Sequence, residues 1–248
     1  MSPGPEPGRP APGGPAQRTG VARRIIGTAL DVLFPPKCVG CGGFGAFICE
    51  RCLETTPRAA GNRCPRCWAA IQEGWCQDCA GYTPAFTSLR SAFGYGGVAR
   101  NAVLSLKFEG VSALAPRMAS LMADALTDWS PSIDTIVPVP LGWLRSRTRG
   151  YNQAELLAGD IARTVDLPFE RHALRRVRRT APQTRQADAA SRRENVRGAF
   201  APGSRPASGR VLLIDDVATT GATLDACAQA LLEGGATTVY ALTFARED

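Results

Sequence analysis

Eight cysteines repeat a single spacing: Cys38/Cys41, Cys49/Cys52, Cys64/Cys67 and Cys76/Cys79 each enclose two residues. That gap forms a tight knuckle aiming both sulfurs at one ion, and tetrahedral Zn²⁺ takes four thiolates at ~2.3 Å. Four knuckles complete two Cys₄ sites with no position open for water or substrate, so both ions are expected to be structural. A disulfide framework is the competing reading and would suit a secreted chain. No secretory signal is visible, however, and fourfold CxxC is commoner as metal ligation. Iron-sulfur ligation favours other spacings. Joining consecutive pairs suits two stacked ribbons and is the favoured arrangement, while an interleaved cross-brace would use the same eight ligands. Cys227 falls mid-helix among Ala and Leu and reads as an inert core residue.

The second chemically loaded segment is Val211-Leu212-Leu213-Ile214-Asp215-Asp216-Val217-Ala218-Thr219-Thr220-Gly221-Ala222-Thr223-Leu224. It reads as a buried aliphatic strand ending in two carboxylates, then a Thr/Gly loop and the start of a helix. In an open parallel sheet, ligands bind at the carboxyl ends of strands, and a helix N-terminus attracts phosphate. Thr219, Thr220 and Thr223 add hydroxyl donors, and Gly221 lets the backbone approach an anion. Carboxylates beside such a loop suit a sugar phosphate; mere capping of the next helix by an Asp is the bland alternative. No GxxxxGK[ST] or GxGxxG is present, which excludes a Walker loop and a dinucleotide fingerprint. A single His, His172, nearly removes chemistry that needs several histidines.

The elements that must position these residues follow from the rest of the pattern. The chain has 248 residues, 44% hydrophobic and 21% charged, which excludes wholesale disorder and fibrous architectures. Its uncharged stretches stop short of the ~20 residues of a spanning helix. Residues 1–20 are rich in Pro and Gly and are expected to form a disordered tail. Ile26, Leu30, Leu33 and Phe34 have the spacing of a short amphipathic helix, which favours packing between modules over export. Beyond the cysteines, strands are expected over Leu89–Tyr95, Asp134–Val139, Arg210–Asp215 and Thr238–Phe244. Helices are expected over Val98–Lys107, Leu114–Asp128, Asn152–Thr164 and Ala222–Glu233. Such alternation implies an α/β fold, a mostly parallel sheet with helices on both faces. The expected units are the tail, residues 21–84 with the amphipathic helix and double zinc ribbon, and a domain over 85–248.

Residues 211–224 resemble the phosphoribosyl pyrophosphate (PRPP) signature of type I phosphoribosyltransferases. Further segments resemble the ComF family, associated with DNA uptake in natural competence. They are Pro138-Val139-Pro140-Leu141 with Arg149-Gly150-Tyr151-Asn152-Gln153-Ala154, Arg179-Thr180 with Pro182-Gln183, and Arg192-Arg193-Glu194-Asn195-Val196 with Gly198-Ala199-Phe200. The knuckles after Leu33-Phe34-Pro35-Pro36 and the segment Leu106-Lys107-Phe108-Glu109-Gly110 fit the same family. The resemblance implies a type I phosphoribosyltransferase-like sheet preceded by a double zinc ribbon. It implies that Asp215 and Asp216 hold the ribose hydroxyls, directly or through Mg²⁺, and that Ala218 to Thr223 bind the 5′-phosphate. Val139, Pro140 and Leu141, after the first strand of the domain's sheet, would form the pyrophosphate loop. Arg179 or Arg193, in a loop closing over the reacting centre, would neutralise departing pyrophosphate. Displacement at ribose C1 needs positioning and charge stabilisation more than a strong base.

Of the 29 cations, 27 are Arg, and the formal charge is +7. Arg is concentrated between Leu141 and Arg197, near Trp143, Tyr151 and Phe200, where the alternatives are a solvated face, closure over PRPP and binding of single-stranded DNA. The leading expectation is a cytoplasmic PRPP-binding transferase, its acceptor unspecified, with two structural Zn²⁺ and Mg²⁺ arriving with PRPP. The alternatives are a non-catalytic single-stranded-DNA-binding accessory, partnered by a DNA-uptake helicase or another competence protein, and a PRPP-sensing regulator.

Overall fold

The computed structural model describes residues 35–71, 76–141, 150–178 and 189–248. The expected tail, the helix over Ile25 to Phe34, Trp143, Arg149 and Arg179 lie outside the described residues.

Two short helices, α1 (Glu50–Glu54) and α2 (Gln77–Ala80), each start at a knuckle of the cysteine-rich segment. The larger unit follows as β1 (Ser88–Gly94), α3 (Gly97–Phe108), α4 (Ala115–Trp129), β2 (Thr135–Pro138), α5 (Gln153–Val165), β3 (Leu174–Arg176), α6 (Ala189–Val196), β4 (Phe200–Pro202), β5 (Gly209–Ala218), α7 (Ala222–Glu233) and β6 (Ala236–Arg246). Four strands form a parallel sheet in the order β1-β6-β5-β2, and β3 pairs antiparallel with β4 as a separate ribbon.

Period-2 alternation divides each central strand between two cores. Leu212 and Ile214 of β5, Ile136 of β2 and Leu242 of β6 pack with Leu106, Met118, Met122, Leu157 and Ile161 of α3, α4 and α5. Val211, Leu213, Val137 and Ala241 face the other way, against Leu224, Cys227 and Leu231 of α7. The sheet is therefore covered on both faces, as expected. Cys227 is wholly buried in the second core, where loss of hydration pushes its thiol well above the ordinary range.

Two expectations change. The strand expected to end at Asp215 runs on to Ala218, because β6 pairs with it as far as Ala218↔Arg246, so the acidic pair lies within the sheet. The Val139 turn follows β2, which is the second strand along the chain, since β1 already belongs to the same sheet. The Arg-rich stretch, which has only weak periodicity, contains β3, α6 and the start of β4.

Candidate functional site

The cysteines gather as Cys38, Cys41, Cys49 and Cys52 in one group and Cys64, Cys67, Cys76 and Cys79 in the other. Consecutive knuckles thus share a site, as favoured above. Within each group the sulfurs lie within 4.8 Å of one another, and all nine cysteines are free of disulfides. Sulfur separations are 3.7 Å (Cys38–Cys49), 3.8 Å (Cys41–Cys49), 3.8 Å (Cys64–Cys79) and 3.4 Å (Cys67–Cys76). A tetrahedron with ~2.3 Å metal–sulfur bonds has edges of about 3.8 Å, so both donor sets fit Zn²⁺. Backbone N–H groups of Cys49 and Cys67 donate to the sulfurs of Cys38 and Cys64 at 3.4 and 3.5 Å. Gly40 is required in the first knuckle: a Cβ there would lie 2.8 Å from the Cys52 sulfur and 2.9 Å from Val98.

The ribbon is bound into the larger unit. The Leu89 N–H donates to the Arg66 carbonyl at 2.7 Å, and the Arg90 guanidinium stacks over Trp68 (4.1 Å) and Trp129 (5.1 Å). Arg63 pairs with Asp248 at 2.6 Å. Asp225, buried in the first turn of α7, accepts from the Tyr82 hydroxyl (2.6 Å) and the Ala85 N–H (2.7 Å).

On β5 the two acidic residues are adjacent, and their carboxyl groups interact directly. Asp216 shares the Ile214 side and meets Lys107, whose Nζ lies 2.9 Å from Oδ1, with the carboxylate side chain 6% exposed. Burial alone would depress the Lys107 ammonium, but the carboxylates of Asp216 and Asp215 hold it above the usual lysine range. Lys107 is positioned by the last turn of α3, where the Tyr151 hydroxyl donates to the Leu106 carbonyl at 2.6 Å. Asp215, on the Cys227 side, accepts from the Asp216 N–H at 2.9 Å. Burial, then the neighbouring Asp216 charge, raises the Asp215 carboxyl to about 7. With Asp216 paired to Lys107, the pair offers little to a Mg²⁺ on its own, and Asp215 would be the carboxylate available to such an ion.

After Ala218 the loop turns through Thr219 and Thr220 to Gly221, which adopts φ +76° at the N-cap of α7 with no side-chain cap. The Thr220 hydroxyl oxygen accepts from the Ala222 N–H at 3.4 Å. Thr219, Thr220 and Thr223 are partly exposed, while Ala218 and Ala222 are buried. The Val139 turn is held to β5 by its N–H, which donates to the Ile214 carbonyl at 2.9 Å. It is held to α5 by Asn152, whose Nδ2 donates to the Val139 carbonyl at 3.0 Å while its Oδ1 caps Ala154. Pro140 and Leu141 complete the described part of that turn and are partly exposed.

A cavity of about 930 Å³ opens where Thr219 and Thr220 face Cys76, Gln77 and Asp78 of the second ribbon, with Arg192 of α6 and the Arg246 end of β6 as further walls. Arg193 sits beside it, 4.5 Å over the Tyr82 ring, in a smaller recess shared with Thr220 and Gly221. Arg246 carried no signal in the sequence, whereas Lys107 and Arg192 lie in segments that resemble the ComF family but were given no role at the sugar-phosphate site.

These features define a phosphoribosyltransferase-type α/β protein with a double zinc ribbon. A Phosphoribosyl transferase domain model matches residues 152–247, and a Double zinc ribbon domain model matches residues 29–80. The DNA utilization protein YhgH of Salmonella typhi is 32% identical over 77% of this chain and 87% of its own. Competence protein ComFC of Bacillus subtilis is 29% identical over 80% of this chain and 84% of its own. Among solved structures, the glutamine PRPP amidotransferase of B. subtilis, complexed with ADP and GMP, is 22% identical, with 52% of this chain and 26% of that chain covered and a TM-score of 0.36. The chain belongs to the ComF family. No helix among the described residues is long and apolar enough to cross a membrane.

Proposed function

We propose that this protein binds PRPP at the end of β5 and displaces pyrophosphate from ribose C1. The observation that carries this reading is the run from Asp215-Asp216 through Thr219, Thr220 and the left-handed Gly221 into the N-terminus of α7. Ala218, Thr219, Thr220, Gly221, Ala222 and Thr223 would enclose the 5′-phosphate, where hydroxyls, backbone N–H groups and the helix dipole all favour an anion. Asp215 and Asp216 would orient the ribose hydroxyls, with Lys107 fixing Asp216. Val139, Pro140 and Leu141 would face the pyrophosphate, and Arg193, with Arg179, would neutralise it as it leaves. Mg²⁺ bound with the substrate supplies charge stabilisation of the leaving group. We place the unit boundary near residue 84, and the compartment in the cytoplasm, where thiolate ligands stay reduced.

A second reading, suggested by the names of the relatives, is an accessory role in DNA uptake or utilization in which PRPP binding persists with little turnover, as a sensor or alongside single-stranded DNA and a DNA-uptake helicase or other competence protein. One experiment separates the two. Zinc-loaded protein is incubated with PRPP, Mg²⁺ and a nucleobase panel while thermal stability and pyrophosphate are followed. Stabilisation by PRPP together with acceptor-dependent pyrophosphate release supports the transferase. Stabilisation without release supports the accessory, and no stabilisation defeats the sugar-phosphate assignment.

A further inference from the structure

The linker that leaves the second zinc ribbon is tied to the first turn of α7, directly behind the phosphate loop. Cys79, the last ligand of that ribbon, is followed after two residues by Tyr82, whose hydroxyl donates to Oδ2 of Asp225 at 2.6 Å. The Ala85 N–H donates to the other oxygen, Oδ1, at 2.7 Å. The buried Phe86 then closes on the left-handed Gly221, where an added Cβ would lie 3.5 Å from its ring. Thr87 follows, and its N–H donates to the Val239 carbonyl of β6 at 2.8 Å, which anchors the linker to the sheet. Zinc ligands and phosphate loop also share a wall, since Cys67 and Cys79 line the same small recess as Thr220, Gly221 and Ala222.

Asp225 joins the two parts. It is 5% exposed, and its N–H donates to the Gly221 carbonyl at 2.9 Å, closing the first turn of α7. Its carboxylate puts negative charge at the helix end that would receive a phosphate, which opposes anion binding. Attraction of the ligand is therefore not its role. What it gains is the pair of linker donors, with Gln229 Nε2 as a weaker contact at 3.4 Å. A buried carboxylate stripped of its donors is costly, so the α7 turn and the linker hold each other in place.

Resting on the PRPP reading, we infer that Asp225 and Tyr82 are positioning residues that couple the second zinc site to the phosphate loop, so that Zn²⁺ there and a 5′-phosphate bind cooperatively. Zinc fixes Cys79 and with it the start of the linker. The linker donors fix Asp225 and the first turn of α7, and that turn presents its N–H groups to the phosphate. Coupling between two sites is reciprocal, so a ligand at the loop raises the zinc affinity of the second site by the factor by which zinc raises the ligand's. The first ribbon leans instead on α3 and α4, through the Asn101 bond to the Val39 carbonyl at 3.0 Å and the Arg117–Glu50 pair at 2.6 Å. Its zinc site is an internal control in the same chain.

The test equilibrates the full zinc-loaded chain with a graded zinc chelator, with and without saturating ribose 5-phosphate. Freed cysteines are then alkylated, and the peptides of the two sites are counted separately by mass spectrometry. Ribose 5-phosphate is expected to raise the zinc affinity of the second site about tenfold and to leave the first unchanged. Tyr82→Phe keeps the ring under Arg193 and removes only the donor, and is expected to cut that factor to about threefold at unchanged zinc stoichiometry. Asp225→Ala removes both linker bonds and is expected to abolish the coupling; if it fails to fold, Tyr82→Phe alone decides. An unchanged second site while calorimetry shows ribose 5-phosphate bound, equal protection of both sites, or an undiminished factor in Tyr82→Phe overturns the inference. Absence of ribose 5-phosphate and PRPP binding would instead refute the reading beneath.

Discussion

Replacing Lys107 by Met leaves the methylene stem packed and removes only the ammonium facing Asp216. The pair is 2.9 Å apart, with side chains 25% and 6% exposed. At an effective dielectric of ~20 the direct attraction is about 6 kcal/mol, opposed by the desolvation of both groups. Removing one partner of a fully buried pair costs ~3–5 kcal/mol, and water reaching the Lys107 position reduces this to about 2–3 kcal/mol. Equilibrium urea denaturation of the zinc-loaded protein is expected to show that loss at unchanged denaturant slope. The double variant Lys107→Met/Asp216→Asn should recover part of it, because no carboxylate is then left buried without its cation. A coupling of about 1.5–2 kcal/mol in the double-mutant cycle is expected. Lys107→Met within about 0.5 kcal/mol of wild type, or strictly additive single variants, would refute the claim that Lys107 holds Asp216.

Gly221→Ala should cost about 1 kcal/mol and weaken phosphate binding, since the residue sits at φ +76° while its added methyl would only touch Phe86 at 3.5 Å; a stabilised variant would contradict that turn. Protein free of PRPP and Mg²⁺ should lose stability between about pH 4 and 7. Asp215 titrates near 7 when folded, so the folded state holds the proton more tightly, and its contribution is full below the unfolded value and lost as pH rises through 7. Asp215→Asn should flatten that slope in denaturation curves, and an identical slope would count against it. Metal analysis should find about two zinc ions per chain, and chelation or Gly40→Ala, whose Cβ meets the Cys52 sulfur, should lower the melting temperature. Fewer than about one zinc would defeat the ribbon assignment.

The parts legible in sequence were those governed by local spacing. CxxC gaps gave both zinc sites, and the aliphatic run into Asp215-Asp216 with Thr and Gly behind it located the strand, loop and α7. Asn152 read as a helix start and is observed as its cap. What escaped depends on distant segments meeting. The last residues of β5 are held in the sheet by β6, a pairing invisible in β5 alone. The partnership of Lys107 with Asp216 joins positions 109 residues apart through packing of α3 on the sheet. Arg246 and Asp248 acquire meaning only because Arg63 and Asp78 of the ribbon fold back onto them. Formal charge changes as well: eight thiolates holding two Zn²⁺ lower the chain's +7 to about +3, with Arg still concentrated between Leu141 and Arg197.

Titration calorimetry of PRPP with Mg²⁺ into the zinc-loaded chain, beside Asp215→Asn/Asp216→Asn, tests the central claim most directly. Saturable binding at one site per chain, lost in the double variant while its fold and zinc content persist, is the predicted result. Absence of binding to the wild type, or equal affinity in the variant, would contradict the assignment of β5, its loop and the N-terminus of α7 as a PRPP site.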